Sequence, residues 1–215
     1  MSSAEDPAVD VANLRPGQGS LKDEIVRVAV ELGTELGEDG LTMRGIASRL
    51  GVSATALYQH FEGKSSILRA IRVHGMRVLA QELAPAFEGK EAVESIRDCS
   101  KRYIAFARKN SWMYCLLFHG ERIDPESISP EDAEGLENSH VKLREAFQAL
   151  ADGGQLREGV DPSVATWMLW SSNHGIACLM ISGRISAGQP GFPPGSDDEF
   201  VDGYVEHTVR GFLRA

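Results

Sequence analysis

Residues 42–68 read TMRGIASRLGVSATALYQHFEGKSSIL, and they decide the fold. Thr42 is suited to cap a short helix that turns Met43, Ile46, Ala47 and Leu50 inward, and Gly51-Val52-Ser53 then supplies a tight turn. A further helix is expected over about 54–61. Counting 100° per residue from Leu57, Phe61 falls near the same face, whereas Thr55 and Gln59 lie about 160° away. Leu57 and Phe61 should therefore pack, and the Thr55/Gln59 face should look outward. Two short helices joined by a glycine turn form a helix-turn-helix. Ser53, Ala54, Thr55 and Ala56 are small enough for the second helix to approach a major-groove floor, and Gln59 can bond an adenine edge in bidentate fashion. Tyr58 and His60 flank this face within reach of phosphates. Lys64 and the free amides opening the following helix make a further anion site. A rival reading makes the two helices only a packing unit.

Upstream, Ser20-Leu21-Lys22-Asp23 is a capping-box pattern, and Ile25, Val28, Ala29, Leu32 and Leu36 recur at helical spacing until Gly37 and Gly40. Residues 1–19 are poor in large apolar groups and read as a disordered tail. Downstream, Ile67, Leu68, Ile71, Val78, Leu79 and Leu83 mark a helix ending near Pro85, and helical patterns continue at about 91–109, 112–120 and 130–151. Ser129-Pro130-Glu131-Asp132 and Asp161-Pro162-Ser163 are helix starts with a cap and an N1 proline. Residues 188–198, GQPGFPPGSDD, are a loop by composition, and Phe200, Val201, Tyr204, Val205, Thr208, Val209 and Phe212 define a last amphipathic helix. No strand pattern is found, so the class is all-α. The expected organisation is a tail over 1–19, a three-helix domain over 20–66, and a helical domain over 67–215.

Charge sharpens this division. The chain carries a formal net charge of -9, yet between Thr42 and Arg77 the cations Arg44, Arg49, Lys64, Arg69, Arg72 and Arg77 face one carboxylate, Glu62. On charge alone this basic stretch fits a DNA-binding surface and an ordinary solvated helix face equally well.

The 42–68 segment closely resembles the signature of the TetR family of bacterial regulators. The shared features are the Thr opening the second helix, Ile46-Ala47, the Gly51-Val52-Ser53 turn, Leu57-Tyr58, His60-Phe61 and Lys64. The resemblance implies an all-helical homodimer whose Thr42, Arg44, Ser53, Thr55, Tyr58, Gln59, His60 and Lys64 face a double-stranded DNA operator. It also implies repression relieved by a small-molecule effector. Ala54 is bland where many members carry a polar or bulky residue, which leaves the operator sequence open. Farther on, Trp170-Ser171-Ser172-Asn173-His174-Gly175 resembles the Trp…His-Gly hallmark of the WHG-type C-terminal domain. Trp170 and His174 either touch ligand or pack in the core, with Gly175 permitting a close helix crossing.

The resemblance also implies that the last two helices form a four-helix dimer interface. Met168, Ser172, Ile176, Val201, Val205, Val209 and Phe212 are the residues expected there. Effector binding is expected in the C-terminal domain, where Trp112, Tyr114, Phe118, Phe147, Trp167 and Trp170 concentrate aromatic surface and His119 and His174 add sparse polar groups. That mix suits an apolar or aromatic small molecule.

Other classes find little support. No Glu-x-x-His pair, G-x-S-x-G elbow or phosphate-binding glycine loop beside a strand occurs, so neither an enzyme nor a cofactor or metal is expected. The cysteines Cys99, Cys115 and Cys178 are odd in number and widely spaced, which suits buried reduced thiols. No apolar run reaches membrane-spanning length and the N-terminus is acidic. A cytoplasmic protein without a membrane partner is the expectation.

Overall fold

The capping box at Ser20 starts the first helix. The Ser20 hydroxyl accepts from the Asp23 amide while the Asp23 carboxylate accepts from the Ser20 amide, satisfying donors that the helix itself leaves unpaired. The computed structural model describes residues 20–119 and 130–214, without the side chains of 119 and 130–138. The expected tail over 1–19 and the capping Ser129 lie outside the described residues.

Nine α-helices occur among the described residues: α1 (Leu21–Gly40), α2 (Met43–Leu50), α3 (Ala54–Tyr58), α4 (Lys64–Leu83), α5 (Ala92–Lys109), α6 (Ser111–His119), α7 (Pro130–Asp152), α8 (Pro162–Ile181) and α9 (Asp197–Phe212). A 3-10 turn over Ala84–Phe87, with Pro85 in it, follows α4. No strand is present among these residues; Leu156 and Leu213 form an isolated bridge. The class is all-α, as expected. No helix among the described residues is long and apolar enough to cross a membrane.

The chain divides into two compact units. One holds the described residues up to Gly75 together with the segment starting at Lys109, which brings α6 to α1, α2, α3 and the first part of α4. The other holds Met76–Arg108 and helices α7, α8 and α9. These units are not contiguous in sequence, unlike the expected boundary at 66/67.

The reason is local to the first unit. A Cβ placed on Gly33 of α1 would stand only 2.1–2.5 Å from the Trp112 ring of α6, so the missing side chain is what lets α6 lie there. A Cβ on Gly75 of α4 would be less crowded, at 3.0–3.2 Å from the Met113 and Leu117 side chains. Arg72, which the sequence places in a basic stretch, is buried here and donates from Nε to the Leu116 carbonyl at 3.2 Å. It satisfies a carbonyl near the end of α6 and adds nothing to the charged surface.

In the second unit α7 packs on α8 and α8 on α9. Phe147 is fully buried and meets the edge of Phe212 at 5.3 Å between ring centroids. Ion pairs run along α5 and α9: Arg97 with Glu206, Lys101 with Asp202, and Arg108 with Asp197 and Asp198. Both helices keep apolar sides inward and join opposite charges at their rims.

Candidate nucleic-acid interface

Thr42 accepts from the Gly45 amide at 3.0 Å and so caps α2, burying Ile46 and Ala47 beneath it. The helix ends at Gly51, whose backbone is left-handed at φ 68 and ψ 26, a conformation that a side chain would strain. Ser53 then caps α3 by accepting from the Ala56 amide at 3.2 Å. The second helix is shorter than the expected 54–61: it closes at Tyr58, and Gln59 is its C-cap. Leu57 (0% exposed) and Phe61 (5%) anchor it to the core.

What these anchors leave outside is the expected reading surface. Thr42, Arg44, Ser53, Thr55, Tyr58, Gln59 and His60 are all exposed, Tyr58 at 55% despite its large ring. Lys64 is half-buried; its ammonium donates to the Glu38 carbonyl at the end of α1. Arg49 is exposed too, but its guanidinium forks onto Glu35 at 3.2 and 2.8 Å, a contact that holds the Glu35 carboxyl below its usual range. The face is thus built mainly from neutral hydrogen-bonding groups, with Arg44 as its cation, which suits base-edge contacts better than simple charge neutralisation.

The expected effector residues are divided between the two units. Trp112 and Phe118 belong to the first unit, Trp112 against Gly33 and Phe118 beside Tyr114 at 4.8 Å. The His119 side chain lies outside the described residues. In the second unit Phe147 is core, while Trp167, Trp170 and His174 share one flank of α8. Trp170 stacks on His174 at 5.5 Å with 22° between planes. The His174 ring contacts the Tyr103 hydroxyl through Nδ1 at 3.2 Å and the Cys178 sulfur through Nε2 at 3.5 Å. Separately, an open groove of about 420 Å³ runs along α9 and the loop before it, lined by Phe192, Pro194, Phe200, Tyr204 and Thr208 among others, and none of the expected effector residues whose side chains are described lines it.

Residues 25–71 match the family of bacterial regulatory proteins, tetR family. Residues 96–207, more than half of the chain, match the tetracyclin repressor-like C-terminal domain. The chain belongs to the TetR family. The tetracycline repressor protein class A from transposon 1721 of Escherichia coli is 49% identical over 47 residues, which is 22% of this chain and 22% of that repressor. The class G tetracycline repressor of Vibrio anguillarum is 27% identical over 157 residues, 71% of this chain and 64% of its own length. The chain therefore spans about a fifth of the class A repressor it matches. Among solved structures, a protein of unknown function from Rhodococcus sp. RHA1 superposes with a TM-score of 0.74 at 24% identity, covering 94% of this chain and 100% of that one. The TetR family transcriptional regulator PfmR from Thermus thermophilus gives 0.60 at 22% identity, with 88% and 99% covered. At these identities the likeness shows the fold.

In this TetR-family chain the expected interface residues separate into two groups. Val201, Val205, Val209 and Phe212 of α9, and Ile176 of α8, are buried within the chain itself, Val205 at 1% and Val209 at 0%. Their apolar stripe is covered by the chain's own core, so it offers no face to a partner, contrary to the expectation. Met168 and Ser172 do lie outside, together with Val164, Trp167 and Leu179. Gly175 sits among them and a Cβ there would meet nothing within 4 Å among the described residues, so none of these makes a close crossing at it. The cysteines differ as well: Cys99 is buried, but Cys115 and Cys178 are only half-buried.

Some residues of structural weight escaped the sequence reading. Asn173 is buried and donates to the Ser100 hydroxyl at 3.0 Å, while the Tyr204 hydroxyl donates to its carbonyl at 3.4 Å. The one signal in the sequence was an amide facing inward on the apolar stripe of α8; its partners on α5 and α9 had none.

Proposed function

We propose that this chain is a homodimeric, sequence-specific DNA-binding transcriptional repressor, released from its operator by a small-molecule effector. The observation that carries the reading is α3: a helix held from behind by buried Leu57 and Phe61, preceded by a left-handed glycine turn, with Thr55, Tyr58 and Gln59 exposed. Buried anchors fix the orientation of the reading side chains, which is what base recognition needs. Thr42, Arg44, Ser53, His60 and Lys64 surround them as phosphate-directed groups, and binding would take Lys64 from the Glu38 carbonyl to a phosphate.

The second copy is proposed to cover the outward face of α8, where Met168 (55% exposed) and Leu179 flank the small Ser172 and Gly175. Small residues between large apolar ones let two helices approach closely. A two-fold dimer presents two reading helices to half-sites about one DNA turn, roughly 34 Å, apart. The functional division is a reading head near 20–66 and a responding domain beyond it, working on DNA in the cytoplasm and without catalysis. The effector is taken to be apolar or aromatic because Trp167 and Trp170 offer ring surface on α8. It releases DNA only if it binds more tightly to a conformer whose heads are wrongly spaced.

Nuclease footprinting on the DNA upstream of the chain's own gene tests this. A protected, near-palindromic site that disappears in Thr55→Ala/Gln59→Ala protein is expected; protection that survives this double change would refute the assigned reading helix.

A further inference from the structure

The flank of α8 that carries Trp170 and His174 ends in a thiol. At 100° per residue Trp167, Trp170, His174 and Cys178 fall within about 80° of one another, on the side away from Ser172. Trp167 meets Trp170 edge-on at 5.8 Å, and Trp170 stacks on His174. The His174 ring is held at both nitrogens, by the Tyr103 hydroxyl at 3.2 Å and the Cys178 sulfur at 3.5 Å. Tyr103 is itself buried on α5, so its oxygen is a fixed point. When that oxygen accepts from Nδ1–H, the imidazole presents the Nε2 lone pair to the thiol, which is the arrangement of a nucleophile with an oriented base. Cys178 is half-buried and lies on the flank of the Met168 and Leu179 face.

We propose that Cys178 is the nucleophile of a covalent effector site that captures planar α,β-unsaturated carbonyl compounds. The proposal rests on the effector-released regulator described above and names the chemical class of its effector. The thiol proton passes to His174 Nε2, and the sulfur forms a bond to the β-carbon of the conjugated carbonyl. The carbon–carbon double bond opens to an enolate, and Nε2 returns the proton to the α-carbon. Nothing leaves, and no oxidant or second reactant is consumed. The tryptophans fit the class: a conjugated carbonyl is flat, and the exposed ring surface of Trp167 and half-buried Trp170 lies on the same flank as the sulfur. The other thiols provide internal comparisons. Burial, reinforced by the Asp98 charge, pushes the Cys99 thiol up to about 12, leaving it protonated and shielded. Cys115 on α6 is half-buried like Cys178.

The test treats the full chain with 4-phenylbut-3-en-2-one, using saturated 4-phenylbutan-2-one as control, and follows intact mass, the mapped adduct, and binding to its upstream DNA. One adduct on Cys178 is expected, forming at least about tenfold faster than on Cys115. No adduct on Cys99 and none with the saturated ketone are expected. Adduct formation should release the DNA. His174→Gln should slow labelling about tenfold at pH 7 and move its pH profile upward. Tyr103→Phe, which keeps the ring and removes only the hydroxyl, should slow it in the same direction. Cys178→Ser should bind DNA and ignore the ketone. Equal labelling of Cys115, or a pH profile unchanged in both His174→Gln and Tyr103→Phe, would overturn the nucleophile. An adduct on Cys178 that leaves DNA binding intact would overturn its effector role. Protein that binds no DNA before any ketone is added defeats the regulator reading and the effector role with it, while the adduct map still judges Cys178 as a nucleophile.

Discussion

Gln59 caps the C-terminus of the reading helix and Lys64 opens α4, one an exposed amide and the other an ammonium drawn onto the Glu38 carbonyl. Their losses should differ in kind. Gln59→Ala should lose about 1–3 kcal/mol of discrimination at one base position, measured across a randomised operator library. Lys64→Ala should weaken all sequences alike and reduce the salt slope by about one. Uniform scaling by both variants would mean that Gln59 reads no base. Leu57, Phe61, Thr55 and Gln59 were legible from the sequence because the helical period is local and sorts neighbours into inside and outside. Arg72 was not, because the carbonyl that receives it belongs to Leu116, forty-four positions along the chain. Asp98 supplies a pH test. Burial pushes its carboxyl up, but the hydrogen bonds from Lys90 and Arg102 together outweigh that, and the group ends below its ordinary value. A carboxyl lowered in the folded state adds stability that is complete above its unfolded value of about 3.9 and is lost as pH falls through the folded value. Asp98→Asn should therefore cost about 1 kcal/mol or less at pH 7, and the gap from the parent protein should close on acidification. A gap that persists at the lowest pH would show that the ion pairs are not its source.

At the scale of elements, α8 and α9 look alike in sequence but are covered differently. Each has an apolar stripe, and periodicity alone does not say whether the chain's own core or a second copy lies over it. The structure puts Val205 and Val209 in the core, while Met168 and Leu179 remain outside. Val205→Glu should thus destabilise the fold by about 4 kcal/mol or more, because it buries an unpaired carboxylate. Met168→Glu with Leu179→Glu should keep its melting temperature within a few degrees and yield monomers by light scattering. Monomers that remain fully folded after Val205→Glu would return α9 to the interface. Gly33 makes a comparable case on α1. The helix around it was legible, but not its contact, since nothing nearby announces a tryptophan ring on α6 that forbids a side chain there.

Across the whole molecule, the compact unit that contains the reading head also contains α6, so residues far apart in sequence share one core. The acidic balance of the chain and the neutral character of the reading face make an unspecific polycation-like affinity a poor account of DNA binding. Specific binding by a dimer should combine moderate salt dependence with strong preference for one site. The most direct test titrates purified protein into its own upstream intergenic DNA and into a shuffled sequence of equal length, each at two salt concentrations. The proposed function predicts a complex of two chains per site on the natural DNA, weakened by added salt and preferred over the shuffled DNA at least about a thousandfold. Equal affinity for both sequences, or no complex on either, would contradict it.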